Sequence, residues 1–108
     1  MTRRPPAPAS LPPVLPGLDP AWSRLVTAVD TTGVARTWHV LDNGVAPAVA
    51  TMLCVHGNPT WSYLWRRFLA EAPPGWRVLA VDQLGMGHSE RITEARPLAQ
   101  RVLSLIHI

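Results

Sequence analysis

Leu53-Cys54-Val55-His56-Gly57-Asn58-Pro59-Thr60-Trp61-Ser62-Tyr63-Leu64-Trp65-Arg66-Arg67-Phe68 passes in sixteen residues from a short apolar run, through a Gly-Asn-Pro turn, into an aromatic pattern at helical spacing. Residues 51–56 read as a short buried strand. Thr60 can cap a helix running to about residue 71, with Leu64, Trp65, Phe68, Leu69 and Ala72 on one buried face. Pro73-Pro74-Gly75 stops that helix. The polar Asn58 at the break between strand and helix needs a reason of its own. Its backbone N–H and side-chain amide could be aimed at a charge that grows only during a reaction.

Working outward, residues 24–30 and 34–41 are rich in β-branched and aromatic side chains and flank Asp30-Thr31-Thr32-Gly33, which predicts a β-hairpin. Asp42-Asn43-Gly44 closes its second strand. On the other side, residues 77–82 form a continuous apolar strand ending in the carboxylate of Asp82, followed by the loop Leu84-Gly85-Met86-Gly87-His88-Ser89. A weaker helical pattern starts near Pro97. A hairpin followed by strand–helix–strand predicts an α/β fold whose sheet starts antiparallel and continues parallel. Residues 1–20 carry seven of the twelve prolines and read as a Pro-rich disordered arm, with Leu15-Pro16-Gly17-Leu18 the part best suited to dock on an apolar edge.

Composition narrows the function classes. A chain of 108 residues is long enough for one small domain. All ten cations are Arg, scattered without a stripe, so the net charge of +3 does not point to nucleic acid. The single Cys54 lies in an apolar strand pattern, excludes an internal disulfide framework and fits a reducing compartment. No run approaches the ~18 apolar residues of a membrane span, and the N-terminus has no secretory apolar region. The expectation is a cytoplasmic protein with no membrane partner.

Several motifs are imitations. Gly85-Met86-Gly87-His88-Ser89-Glu90 lacks the third Gly of a dinucleotide fingerprint and follows the wrong strand of the unit. Gly87-His88-Ser89-Glu90-Arg91 imitates a nucleophile elbow, but Arg91 stands where the elbow needs Gly, so Ser89 reads as a turn-stabilising hydroxyl. The four His show no metal-ligand spacing, and no cofactor or metal is expected. The His56-Gly57-Asn58-Pro59 turn has two readings. It is either a plain strand–helix connection with Asn and Pro as turn formers, or an oxyanion turn at the sheet edge where α/β folds bind ligands. On spacing alone these balance.

"HGNPTWSYLWRRF" (56–68) followed by "VDQLGMGHSER" (81–91) resembles the haloalkane dehalogenase-like branch of the α/β-hydrolase fold. The resemblance covers roughly residues 34–103. It implies that 21–102 is a partial α/β-hydrolase domain: an antiparallel hairpin, then strand–helix–strand, truncated before the nucleophile elbow. By position it makes Asn58 the halide- and oxyanion-binding residue. His56, Gly57, Pro59 and Asp82 become its supports, His56 as a structural His before the oxyanion Gly and Asp82 as a carboxylate that orders the loop after it. The family's nucleophile is an Asp on an elbow after the fifth strand, followed by a halide-binding Trp, with the acid and base later still. No catalytic residue of that set has a counterpart here, so the 108-residue chain by itself is expected to be inactive. The opening "LPGLDPAWSRLV" with "RTWHVLDNG" also resembles bacterial β-lactone decarboxylases of olefin biosynthesis.

The last six residues, Leu103-Ser104-Leu105-Ile106-His107-Ile108, break the helical pattern and supply two of the three Ile. They match one reading frame of a common transposon-end sequencing adapter, which marks 103–108 as a non-native tail on a truncated gene; GC-rich codons there would refute this. Three functions follow as expectations. One is a hydrolase acting on a small-molecule substrate, cleaving a carbon–halogen or related bond through an Asp nucleophile. The others are a β-lactone decarboxylase or another α/β-hydrolase, and a non-catalytic hydrolase-fold binding protein or inert truncated product.

Overall fold

The structure, a computed structural model, describes residues 6–57 and 60–92. Asn58, Pro59, the pattern starting near Pro97 and the tail at 103–108 lie outside the described residues. Four strands form one mixed sheet: β1 (Ser23–Val29), β2 (Ala35–Asp42), β3 (Ala50–Val55) and β4 (Trp76–Val81), in the order β1-β2-β4-β3. The first two make the expected hairpin, paired antiparallel from Ser23 opposite Leu41 to Val29 opposite Ala35. Its turn is held by Asp30, whose Oδ1 accepts the N–H of Thr32 at 2.8 Å and of Val34 at 3.1 Å. β3 and β4 run parallel, Ala50 opposite Trp76 through Val55 opposite Val81. β4 joins the hairpin antiparallel through Val40, Leu41 and Asp42 of β2. This is the predicted antiparallel start and parallel continuation.

The connection between β3 and β4 corrects the sequence reading. Thr60 does not cap a long helix. Trp61, fully extended at φ −163° and ψ 178°, precedes a 3₁₀ turn over Ser62–Trp65, and a single α-helical turn, α1 (Arg66–Ala70), follows. The reason is tertiary: the first free N–H of the turn, that of Ser62, is taken by Asp82 Oδ1 at 2.7 Å. A carboxylate from the far end of β4 thus satisfies the orphan donor that a local cap would otherwise serve. Only Leu69 of the expected apolar face is fully buried, with Trp65 and Ala72 packed beside it, while Leu64 and Phe68 stay exposed.

Side chains alternate across the sheet. One face gathers Leu41, Cys54, Val78 and Ala80 under Leu69 and Leu18. The other packs Trp38, Val40 and Val81 with Val26, Ala28 and Leu79. The Pro-rich arm is a second correction. From residue 6 it lies extended along the fold, placing Leu18 in the core and Leu15 against it, with Tyr63 Oη donating to the Pro16 carbonyl. Proline fixes φ, so ordering such a segment costs little backbone entropy, and two Leu anchors suffice to hold it. Among the described residues no helix is long and apolar enough to cross a membrane.

β3 lies at the sheet edge, with no described strand on its outer side. Leu53 and Val55, neighbours of Leu79 and Val81 on the second face, are 54% and 41% exposed. An apolar edge with unpaired N–H and C=O groups is a template for intermolecular pairing. The 108-residue chain expressed alone is therefore expected to self-associate and to lack a cooperative thermal transition. Leu53→Lys should shift it towards monomer on size exclusion. A wild-type sample that is monomeric and melts cooperatively would contradict this.

Candidate functional site

The parallel pair β3 and β4 ends side by side, and both strands run directly into polar residues: His56-Gly57 after β3, Asp82-Gln83 after β4. His56, Asp82 and Gln83 are all buried. Buried polar groups persist only when paired, and here every pairing ties one strand end to another element. Gln83 N–H donates to His56 Nε2 at 3.0 Å, and Gln83 Nε2 donates to the His56 carbonyl at 2.8 Å. His56 Nδ1 reaches the Gly57 carbonyl at 2.6 Å. The end of β3 is thereby stitched to the end of β4, immediately before Asn58.

Asp82 is completely buried and is the hub of the loop that follows. Its Oδ1 accepts Ser62 N–H at 2.7 Å, and its Oδ2 accepts His88 N–H at 2.8 Å and lies 2.8 Å from His39 Nδ1. Burial pushes the Asp82 carboxyl up, but donation from His39, the His88 N–H and Ser62 outweighs it and holds the group below the ordinary carboxylate range. The His88 imidazole, stacked among Trp61 and His39, is pushed down by burial first and then by the facing His39 and Arg91.

The 83–91 loop continues the sheet where β4 stops. Ser89 Oγ accepts His39 N–H at 2.8 Å and donates to the Asp82 carbonyl at 2.5 Å. Glu90 N–H donates to the Thr37 carbonyl at 2.9 Å, and Arg91 binds the carbonyls of Gly85 and Gly87. Ser89 is buried with its hydroxyl spent on backbone, so it stabilises the turn and is not displayed as an elbow nucleophile would be.

Gly87 makes the arrangement possible. It sits at φ +52°, and a Cβ there would lie 2.5 Å from Asp82 Cγ and 2.7 Å from Trp61 Cβ. Gly87→Ala is expected to cost about 3 kcal/mol or more, combining left-handed strain with a clash into a buried carboxylate. Urea unfolding of the complete protein measures this. A loss under about 1 kcal/mol would mean that the loop relaxes freely.

Sequence reasoning missed His39 and Gln83. His39 carries a polar ring within a run of β2 that is buried from Trp38 to Asp42. That run was the available signal, since a buried His demands a partner, but only the pairing of β2 with the end of β4 supplies Asp82. Ser23 Oγ, 3.1 Å from His39 Nε2, completes a hydroxyl–imidazole–carboxylate chain with the connectivity of a catalytic triad. Its surroundings lack an oxyanion hole. Pro20 has no N–H, and those of Ala21, Trp22 and Ser23 are bound to Asp19 Oδ1, the Asp19 carbonyl and the Pro20 carbonyl. The chain is a structural relay from β1 to β4. Among the described residues no group of three or more His, Cys, Asp or Glu could hold a metal ion.

Comparison with known proteins places this geometry. The family model for the alpha/beta hydrolase fold matches residues 50–103, half of the 108-residue chain. The chain belongs to the α/β-hydrolase fold family. It is 45% identical over 53 residues to haloalkane dehalogenase 2 of Mycobacterium tuberculosis, covering 49% of this chain and 18% of that protein. It is 33% identical over 63 residues to a cis-3-alkyl-4-alkyloxetan-2-one decarboxylase of Xanthomonas campestris, covering 58% of this chain and 20% of that one. The haloalkane dehalogenase DpaA of Paraglaciecola agarilytica superposes with a TM-score of 0.74 at 26% identity, over 96% of this chain and 36% of its own. The chain spans about a fifth of the length of the curated relatives it matches.

Proposed function

We propose that the protein carrying this chain is a hydrolase of the haloalkane dehalogenase-like branch and that these residues build its anion-binding edge. The observation that supports the reading most is the His56-Gly57 exit of β3, stitched to the end of β4, in a chain with 45% identity over 53 residues to a haloalkane dehalogenase. An Asp beyond residue 108 would attack the substrate carbon, the carbon–halogen bond would break, and water would then hydrolyse the alkyl ester. Asn58 would hold the departing halide or the oxyanion of the second step. His56, Gly57 and Pro59 would shape the turn, and Asp82 would fix the loop behind it.

A second reading is favoured by the decarboxylase relative: a β-lactone substrate opened with loss of carbon dioxide. Both chemistries develop negative charge at the same edge. The complete open reading frame, expressed and assayed for halide release from 1-bromoalkanes and for alkene from a cis-β-lactone, separates them. Halide release supports the first reading, and alkene formation the second. A folded protein that does neither, with no Asp on the downstream elbow, supports a non-catalytic binding protein.

A further inference from the structure

Gln83 is buried at 8% exposure, and its two N–H groups both end on His56. The backbone N–H, donated to His56 Nε2, has a consequence for the ring. A nitrogen that accepts an N–H carries no proton, so the neutral imidazole holds its proton on Nδ1. Nδ1 then donates to the Gly57 carbonyl. Two successive carbonyls, those of His56 and Gly57, are therefore held by Gln83, one directly and one through the ring. Sterics would not hold them: a Cβ at Gly57 would meet nothing within 4 Å, and glycine rotates most freely of all residues. A peptide unit is planar and trans, so the N–H that follows the Gly57 carbonyl points opposite to it. Turning that carbonyl turns the donor.

We infer that Gln83 is a positioning residue for the anion-binding turn, locking the His56 and Gly57 carbonyls so that the next N–H faces the reacting group. This rests on the reading that residue 58 stabilises growing negative charge. The lock acts before substrate arrives, so its loss lowers the chemical step and leaves ground-state binding nearly intact. Nothing in the fold needs the side-chain amide for packing alone, because the strand ends are already paired through Val55 and Val81.

Two substitutions in the complete enzyme test it. Gln83→Leu removes the side-chain donor at similar size. Gln83→Glu presents an acceptor when ionised and regains an O–H donor when protonated. Gln83→Leu should lower kcat about tenfold, with KM within about twofold, which is what one net hydrogen bond is worth. Gln83→Glu should fall at least as far at neutral pH, then recover relative to Gln83→Leu as pH is lowered. A purely structural role would lower Tm in both without splitting kcat from KM and without that recovery. Wild-type kcat in Gln83→Leu overturns the inference, as does an identical pH response of the two variants. Should Gln83→Leu fail to fold, Gln83→Glu against wild type carries the pH test. Long-range ¹H–¹⁵N spectra of the wild type then report whether the His56 proton is on Nδ1, as required. An Asn58→Ala variant separates the layers: impaired turnover there with an unaffected Gln83→Leu sinks only the positioning role, whereas full turnover in Asn58→Ala sinks the reading beneath it.

Discussion

Replacing Asn58 with alanine in the complete enzyme is expected to lower kcat by ~10²–10³, the usual cost of removing one donor aimed at transition-state charge. The side-chain amide has no hydrophobic role at a turn that leaves the sheet edge, so the fold and Tm should change little. KM should move less than kcat, because the charge that the amide would meet is small in bound substrate and large as halide departs. Two further observations would sharpen the assignment. Product halide should inhibit the wild type and inhibit Asn58→Ala more weakly, since the same donor would hold it. Asn58→Asp should be worse than Asn58→Ala, because a carboxylate repels the anion. Wild-type turnover in Asn58→Ala on the best substrate would remove the residue from the reaction.

The second large effect concerns stability. Asp82→Ala should destabilise the complete protein by about 3–5 kcal/mol, the range seen when one partner of a buried charged network is removed. The Ser62 and His88 N–H groups and His39 Nδ1 all converge on this carboxylate, and alanine leaves them buried without acceptors. Asp82→Asn should also be costly, since its NH₂ would face an incoming donor whichever way it is turned. The pH dependence has a definite sign. The folded carboxyl lies below its ordinary value, so its contribution is fully present above the unfolded value of about 3.9 and is lost as pH falls through the folded one. Urea titrations at neutral and acidic pH measure both effects. A cost under about 1 kcal/mol for Asp82→Ala, or stability equal in wild type and variant at neutral pH, would show that the loop is held by other contacts.

Much of the strand layout was legible because strands follow local rules. The hairpin around Asp30-Thr31-Thr32-Gly33 and the apolar runs before His56 and Asp82 fall within one residue of the observed β1 to β4. Alternation and turn chemistry are encoded over a few residues, and no distant partner is needed to read them. The helix after β3 was misread for the complementary reason. Its aromatic spacing is helical, but its start is decided by Asp82, twenty residues away in sequence, which takes the Ser62 N–H and makes a short 3₁₀ turn the better solution. The arm shows the same limit. Proline content describes the unbound chain, while docking depends on the surface that Leu18 meets.

The candidate site divides along the same line. By itself the sequence determined which residue types stand at the ends of β3 and β4: a His-Gly-Asn-Pro turn, a terminal carboxylate and a Gly-rich loop. Those identities follow from local spacing. Only the tertiary structure decided what they are bound to. The parallel register that sets Val55 beside Val81 brings His56 to Gln83, and the antiparallel pairing of β2 with β4 brings His39 to Asp82. Hydrogen bonds between residues 27 and 43 positions apart depend on strand order and register, and these are set by burial of the whole sheet.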